Sequence, residues 1–114
     1  MYLQMAGLDY HTASMEQREP FSFSKEQQET ILKALKDSVQ GVVLLNTCNR
    51  TELYLSSDVP CQPSQWLLQF AKETHPSIES VPFYEKSGIA AARHIIEVAC
   101  GLHSQVLHLS LIHI

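Results

Sequence analysis

The run Thr47-Cys48-Asn49-Arg50 gathers the residue types in this chain best suited to chemistry. A cysteine thiolate is a strong nucleophile. Arg50, a permanent cation two positions on, can stabilise that thiolate and can also grip a carboxylate or phosphate with two parallel hydrogen bonds. Thr47 and Asn49 add short polar groups able to orient amide, carboxylate or ester oxygens. Taken alone, a free cysteine is as readily a small buried hydrophobe as a nucleophile. A polar cluster between apolar segments is costly unless it faces a solvated cleft, and that consideration favours the reactive reading.

The segments on either side show how such a cluster would be held. Gly41-Val42-Val43-Leu44-Leu45 is a short, β-branched apolar run of the kind that forms a strand buried on both faces. Glu52-Leu53-Tyr54-Leu55-Ser56 alternates polar with apolar and predicts a neighbouring strand with one wetter face. Only Asn46 to Thr51 separate them, so Cys48 is expected at a strand-to-strand connection, where a rigid sheet holds the backbone of a solvent-facing side chain.

Elsewhere, Tyr2 to Leu8 reads as a strand running into a turn at Asp9, Thr12 and Ser14. Ser24 with Gln27 has the capping-box form ahead of Ile31, Leu32, Leu35 and Val39 at helical spacing. Ser64 is placed to cap a second helix with Trp66, Leu67, Phe70 and Ala71 as its buried stripe; these aromatics read as core and not as a base-stacking platform. Val81 to Tyr84 reads as a short edge strand, where Pro82 is tolerated. Ser87 is placed to cap a third helix with the stripe Ile89, Ala92, Ile96 and Ala99, which turns His94 away from the packed face. The order strand, helix, strand, strand, helix, strand predicts an α+β fold, a ferredoxin-like β-α-β-β-α-β sandwich with an added C-terminal helix.

Composition narrows the function classes. The 114 residues hold one domain, and a net charge of −4 argues against a broad basic face for nucleic acid, so any RNA contact is local. Cys48, Cys61 and Cys100 are irregularly spaced without a Cys-x-x-Cys pair, which indicates neither a disulfide framework nor a metal site, and fits reduced thiols. His11, His75 and His103 read as surface residues. There is no signal-peptide pattern and no apolar run near the roughly 20 residues of a membrane helix; no membrane association is expected, and the chain reads as cytoplasmic.

Three blocks together resemble one family. Leu44-Leu45-Asn46-Thr47-Cys48-Asn49-Arg50-Thr51-Glu52-Leu53-Tyr54 is similar to the Ser-Thr-Cys-Asn-Arg-Thr-Glu signature of glutamyl-tRNA reductases. Gly7 to Ala13, followed by Arg18-Glu19 and Phe23-Ser24, resembles the family's opening. His94 to Leu107, with Val98-Ala99-Cys100-Gly101-Leu102-His103-Ser104 inside it, resembles a helix of the same family. Asp9 and Tyr10 stand where many members have Asn and His, Cys100 and His103 replace a common Ser and Asp, and the family's Gly-Glu-Pro-Gln run is absent.

The resemblance implies reduction of glutamyl-tRNA to glutamate 1-semialdehyde, the first step of tetrapyrrole (porphyrin and haem) biosynthesis, through a thioester on Cys48 that NADPH reduces. It implies catalytic roles for Cys48 and His94, and substrate-binding roles for Thr47, Asn49, Arg50 and Ser104. No Gly-x-Gly-x-x-Gly occurs, so no cofactor-binding residues are expected here; NADPH would belong to the full-length protein. That protein is expected to be a homodimer through a further C-terminal domain, with a contact to the next enzyme for semialdehyde transfer. The alternative reading is a stand-alone ferredoxin-like RNA-binding or regulatory module, which the acidic balance disfavours.

The domain is expected to span 1–108. Residues 109–114, Leu-Ser-Leu-Ile-His-Ile, lack charge, cap and turn signal, and ctg-tct-ctt-ata-cac-atc, a transposon-end adapter of sequencing libraries, translates to the same hexapeptide. We expect that segment to be adapter-encoded and the native gene to continue past His108.

Overall fold

The computed structural model describes residues 1–101 and, as backbone, 109–113. Its sheet contains β1 (Tyr2–Asp9), β2 (Gly41–Asn46), β3 (Arg50–Ser57), β4 (Tyr84–Ser87) and β5 (Leu109–His113), in the order β4-β1-β3-β2-β5 with every neighbouring pair antiparallel. Between β1 and β2 the chain runs through α1 (Met15–Arg18), a 3₁₀ turn (Glu19–Phe21) and α2 (Lys25–Lys36). Between β3 and β4 it runs through α3 (Pro63–Lys72), and α4 (Gly88–Ala99) follows β4. Each of these two crossings skips one intervening strand, which is the ferredoxin-like arrangement that the element order predicts.

Strand alternation divides the apolar residues between the faces. Leu8, Leu44, Leu53 and Leu55 look toward α2 and α3 and pack with Phe21, Ile31, Leu35, Leu67 and Phe70. Each such side chain, fully buried, contributes about 1.5–3 kcal/mol. Met5, Leu45 and Tyr54 look the other way and pack against Ala91 and Val98 of α4. The added helix therefore lids the second face of the sheet.

Local signals explain several boundaries. Ser24 Oγ accepts from the Gln27 N–H at 3.1 Å and Gln27 Oε1 accepts from the Ser24 N–H at 2.7 Å, the reciprocal cap that the sequence announces. The same pattern at Ser14 and Gln17 starts α1, a single turn that the sequence reading leaves inside a loop. Gly88, at φ +58°, lets the chain pass from β4 directly into α4.

Three expectations change. Ser64 does not cap α3: the helix begins at Pro63, which is pre-set for that position, and Ser64 is buried in its first turn. The edge strand lies at Tyr84–Ser87, after the Val81-Pro82-Phe83 stretch. The packed side of α4 is Ala91, His94 and Val98 with Ile95 alongside, whereas Ile89 and Ile96 are 80% and 61% exposed. The helix turns its histidine inward because a buried carboxylate awaits it there. Residues 109–113 run as β5 beside β2, with a register shift between Leu44 and Leu45.

Candidate active site

Cys48 and Asn49 form the tip of the β2–β3 hairpin, closed by the Thr47 N–H donating to the Arg50 carbonyl at 2.8 Å. Two-residue hairpin loops ordinarily favour positive φ, which matches the twist of the strands. No non-glycine residue has positive φ among the described residues, so this tip is not of that kind. Other contacts tie it instead. Arg18 Nη1 donates to the Cys48 carbonyl at 3.0 Å, the Tyr10 N–H donates to the Asn49 carbonyl at 2.9 Å, and the Asn49 N–H donates to Thr47 Oγ1 at 3.2 Å. Cys48 and Asn49 are exposed and Thr47 is half-buried, so a thiol in contact with solvent sits on a backbone that three contacts fix.

The next residues diverge by strand alternation. Thr51 looks toward α2, where its hydroxyl donates to the Phe21 carbonyl at 3.2 Å and accepts from Asn46 Nδ2 at 2.7 Å. Arg50, Glu52 and Tyr54 look toward α4. Arg50 is 1% exposed, with Nη1 2.9 Å from Glu52 Oε2 and Nη2 3.4 Å from Asp9 Oδ2. Glu52, with no exposed surface, also accepts from Tyr54 Oη at 2.7 Å and from Tyr84 Oη, and its Oε2 lies 2.7 Å from His94 Nε2. An ionised carboxylate only accepts, so His94 Nε2 carries the proton in that contact. Asp9 is held in turn by the N–H groups of His11 and Thr12 at 3.0 and 3.1 Å.

Burial alone would push the Glu52 carboxyl up. The hydrogen bonds from His94, Tyr84 and Tyr54 outweigh it and bring the pKa down to about 2. Tyr54 and Tyr84 move above the ordinary phenol range, through burial first and the Glu52 charge second. Burial would lower Arg50, but Glu52 beside it prevails and raises it. Glu52 is thus a fixed negative charge that holds Arg50 and His94 in one cluster.

Gly7 makes this possible. It sits opposite Glu52 on one side and Tyr84 on the other, and a Cβ there would come within 2.6 Å of Glu52 Cγ and 2.8 Å of the Thr51 carbonyl.

The structure therefore joins Arg50 to His94 through Glu52, while Cys48 lies at the hairpin tip and lines a cavity on the α2 side, and Ser104 lies outside the described residues. The expectation of a wetter face at Glu52 and Tyr54 is overturned: alternation marks a polar face but does not distinguish water from a buried partner. Sequence spacing also gave no sign of Asp9, Tyr84 or Arg18 as neighbours, since those contacts are made across the fold.

A cavity of about 370 Å³ opens on the α2 side of the tip, bounded by Ser22, Ser24, Gln27, Gln28, Thr47 and Cys48 among others. A larger one, about 490 Å³, lies at the start of α3 beside Gln4, Ser64 and Lys86 and contains no predicted site residue. Among the described residues no cluster of metal-ligating side chains occurs, and no helix is long and apolar enough to cross a membrane. The described sheet also lacks the adjacent parallel strands and glycine-rich turn that cradle a dinucleotide, so these residues do not fit NADPH.

Comparison with known proteins adds the family context. Residues 6–108 match the family described as Glutamyl-tRNAGlu reductase, N-terminal domain. A probable multifunctional siroheme biosynthesis protein HemA of Ruminiclostridium josui is 43% identical over 107 residues, covering 90% of this chain and 21% of that protein. A glutamyl-tRNA reductase of Alcanivorax borkumensis is 41% identical over 112 residues, covering 94% and 26%. One from Acetivibrio thermocellus is 34% identical over 110 residues, covering 93% and 33%. The chain thus spans a fifth to a third of the length of these relatives. The structure of a glutamyl-tRNA reductase from Methanopyrus kandleri superposes with a TM-score of 0.60 at 31% identity, over 90% of this chain and 23% of that one.

Proposed function

The chain belongs to the family of glutamyl-tRNA reductase N-terminal domains, and on that premise we propose that it carries the acyl-transfer half of glutamyl-tRNA reduction in tetrapyrrole synthesis, with Cys48 as the nucleophile. The observation that supports this most is the setting of Cys48: an exposed thiol on a tied hairpin tip that lines a cavity, two residues before Arg50, which Glu52 links to His94.

In the proposed step the Cys48 thiolate attacks the carbonyl carbon of the glutamyl ester. A C–S bond forms, the C–O bond to the terminal ribose breaks, and the ribose oxygen takes up a proton to leave as a free hydroxyl. The product is a glutamyl thioester on Cys48. Thr47 and Asn49 flank the reacting carbonyl, Arg50, whose guanidinium is buried against Glu52 and Asp9, is the proposed partner of the substrate's carboxylate, and Arg18 fixes the peptide that bears the thiol. Glu52 acts through Arg50 and His94 as a positioning residue. Ser104 remains a proposed substrate contact. The later hydride transfer needs NADPH, which we assign to parts of the longer protein, together with the homodimer contact, the handover of semialdehyde to the next enzyme and a cytoplasmic location.

The test is transfer of radiolabel from glutamyl-tRNA to the chain. Wild type should become labelled and Cys48→Ala should not; equal labelling of both would remove the nucleophile assignment.

A further inference from the structure

The cavity beside Cys48 is not explained by a carboxylate-binding role. Its lining residues are Ser22, Phe23, Ser24, Gln27, Gln28, Asn46, Thr47 and Cys48, none of them charged. A glutamyl carboxylate belongs with a cation, and Arg50 points to the opposite face of β3. A phosphate would likewise find no cation among the lining residues.

What the cavity offers is neutral hydrogen bonding. The Gln27 carbonyl oxygen is taken by the Ser24 cap, which leaves its Nε2 amide hydrogens without a partner among the described residues. Gln28 Nε2 donates to the Phe23 carbonyl at 3.0 Å and to Asn46 Oδ1 at 3.3 Å, which leaves its Oε1 as an acceptor. Ser22 adds an exposed hydroxyl. Donors and acceptors of this neutral kind match the hydroxyls of a ribose and the edge of a base. The volume, about 370 Å³, falls within the roughly 300–1,000 Å³ of small-molecule pockets.

We infer that this cavity receives the terminal ribonucleoside of the ester, so that Gln27, Gln28 and Ser22 hold the leaving group on the α2 side of Cys48 while the amino-acid part lies on the Arg50 side. The inference rests on the acyl-transfer reading above and assigns the second half of that substrate. Cys48 lines the cavity and precedes Arg50 by two residues, so a carbonyl at its thiol has the cavity on one side for the leaving group.

The test compares acylation of Cys48 by the 2′(3′)-glutamyl ester of adenosine with acylation by glutamate methyl ester. Wild type should favour the adenosyl ester. In Gln27→Glu the cap oxygen is kept and the amide donor is lost, and the ratio of the two rates should fall about tenfold, the worth of one to two neutral hydrogen bonds. Ser22→Ala, at an exposed position, should lower the ratio to a smaller extent. A general loss of structure would depress both rates and leave the ratio where it was. An undiminished ratio in both variants, with Cys48 still acylated, overturns the nucleoside subsite alone. Absence of Cys48-dependent acylation by either ester overturns the acyl-transfer reading and the subsite with it.

Discussion

Thr51 and Glu52 are consecutive in β3 and both buried, yet they belong to differently built halves of the molecule. Thr51 borders a core of Phe21, Leu44, Leu53 and Leu67 beneath α2 and α3, where nondirectional burial does the holding. Glu52 sits beneath α4 among Arg50, His94, Tyr54 and Tyr84, where each group needs its particular partner. Buried ionic clusters are seldom the most stable solution for a core, and an apolar replacement often does as well. The presence of one in the strand that follows Cys48 is what we expect when the orientation of Arg50 and His94 matters more than the free energy of the fold.

The largest effects should come from opening either half. Phe21→Ala should cost about 3–5 kcal/mol in urea unfolding. Glu52→Ala should cost about 3–5 kcal/mol as well, because it takes a buried carboxylate away from the Arg50 guanidinium and from the hydroxyls of Tyr54 and Tyr84. Acid separates the two. Glu52 has a folded pKa of about 2 against 4.5 for the free side chain, so its contribution is fully present above about pH 4.5 and is lost as the pH falls toward 2. Wild type and Phe21→Ala should each lose roughly 3 kcal/mol across that window through this group, whereas Glu52→Gln should lack that component. A wild-type stability profile matching that of Glu52→Gln would show that the cluster is not the fixed charge described.

A smaller effect is expected at Gly7, where a methyl group would press on Glu52 and on the Thr51 carbonyl. Gly7→Ala should cost about 1–3 kcal/mol, the usual range for overpacking, as measured by the shift of the urea midpoint. Smallest of all, Cys48→Ala should stay within about 0.5 kcal/mol of wild type in the same measurement, since its side chain is exposed. A large loss there would make the cysteine structural.

The sequence carried the strand and helix order, the Ser24–Gln27 cap and the position of Cys48 between two strands, because these depend on local pattern. It misplaced what depends on contacts distant in sequence. The isoleucines at 89 and 96 advertise an apolar stripe, but the small Ala91 and the pairing of His94 with Glu52 decide which side of α4 faces the sheet. Glu52 looked solvated because alternation reports polarity and not its partner. Arg18 stood out only as part of a family-like pair, since its contact with Cys48 spans thirty residues of sequence.

The central claim is that Cys48 takes the acyl group, and it is tested most directly by mixing the chain with glutamyl-tRNA and mapping the adduct by peptide mass spectrometry. One glutamyl group, released by hydroxylamine as a thioester would be, is expected on the peptide containing Cys48 and absent from Cys48→Ala. An adduct on Cys61 or Cys100, or one that persists in Cys48→Ala, would contradict it.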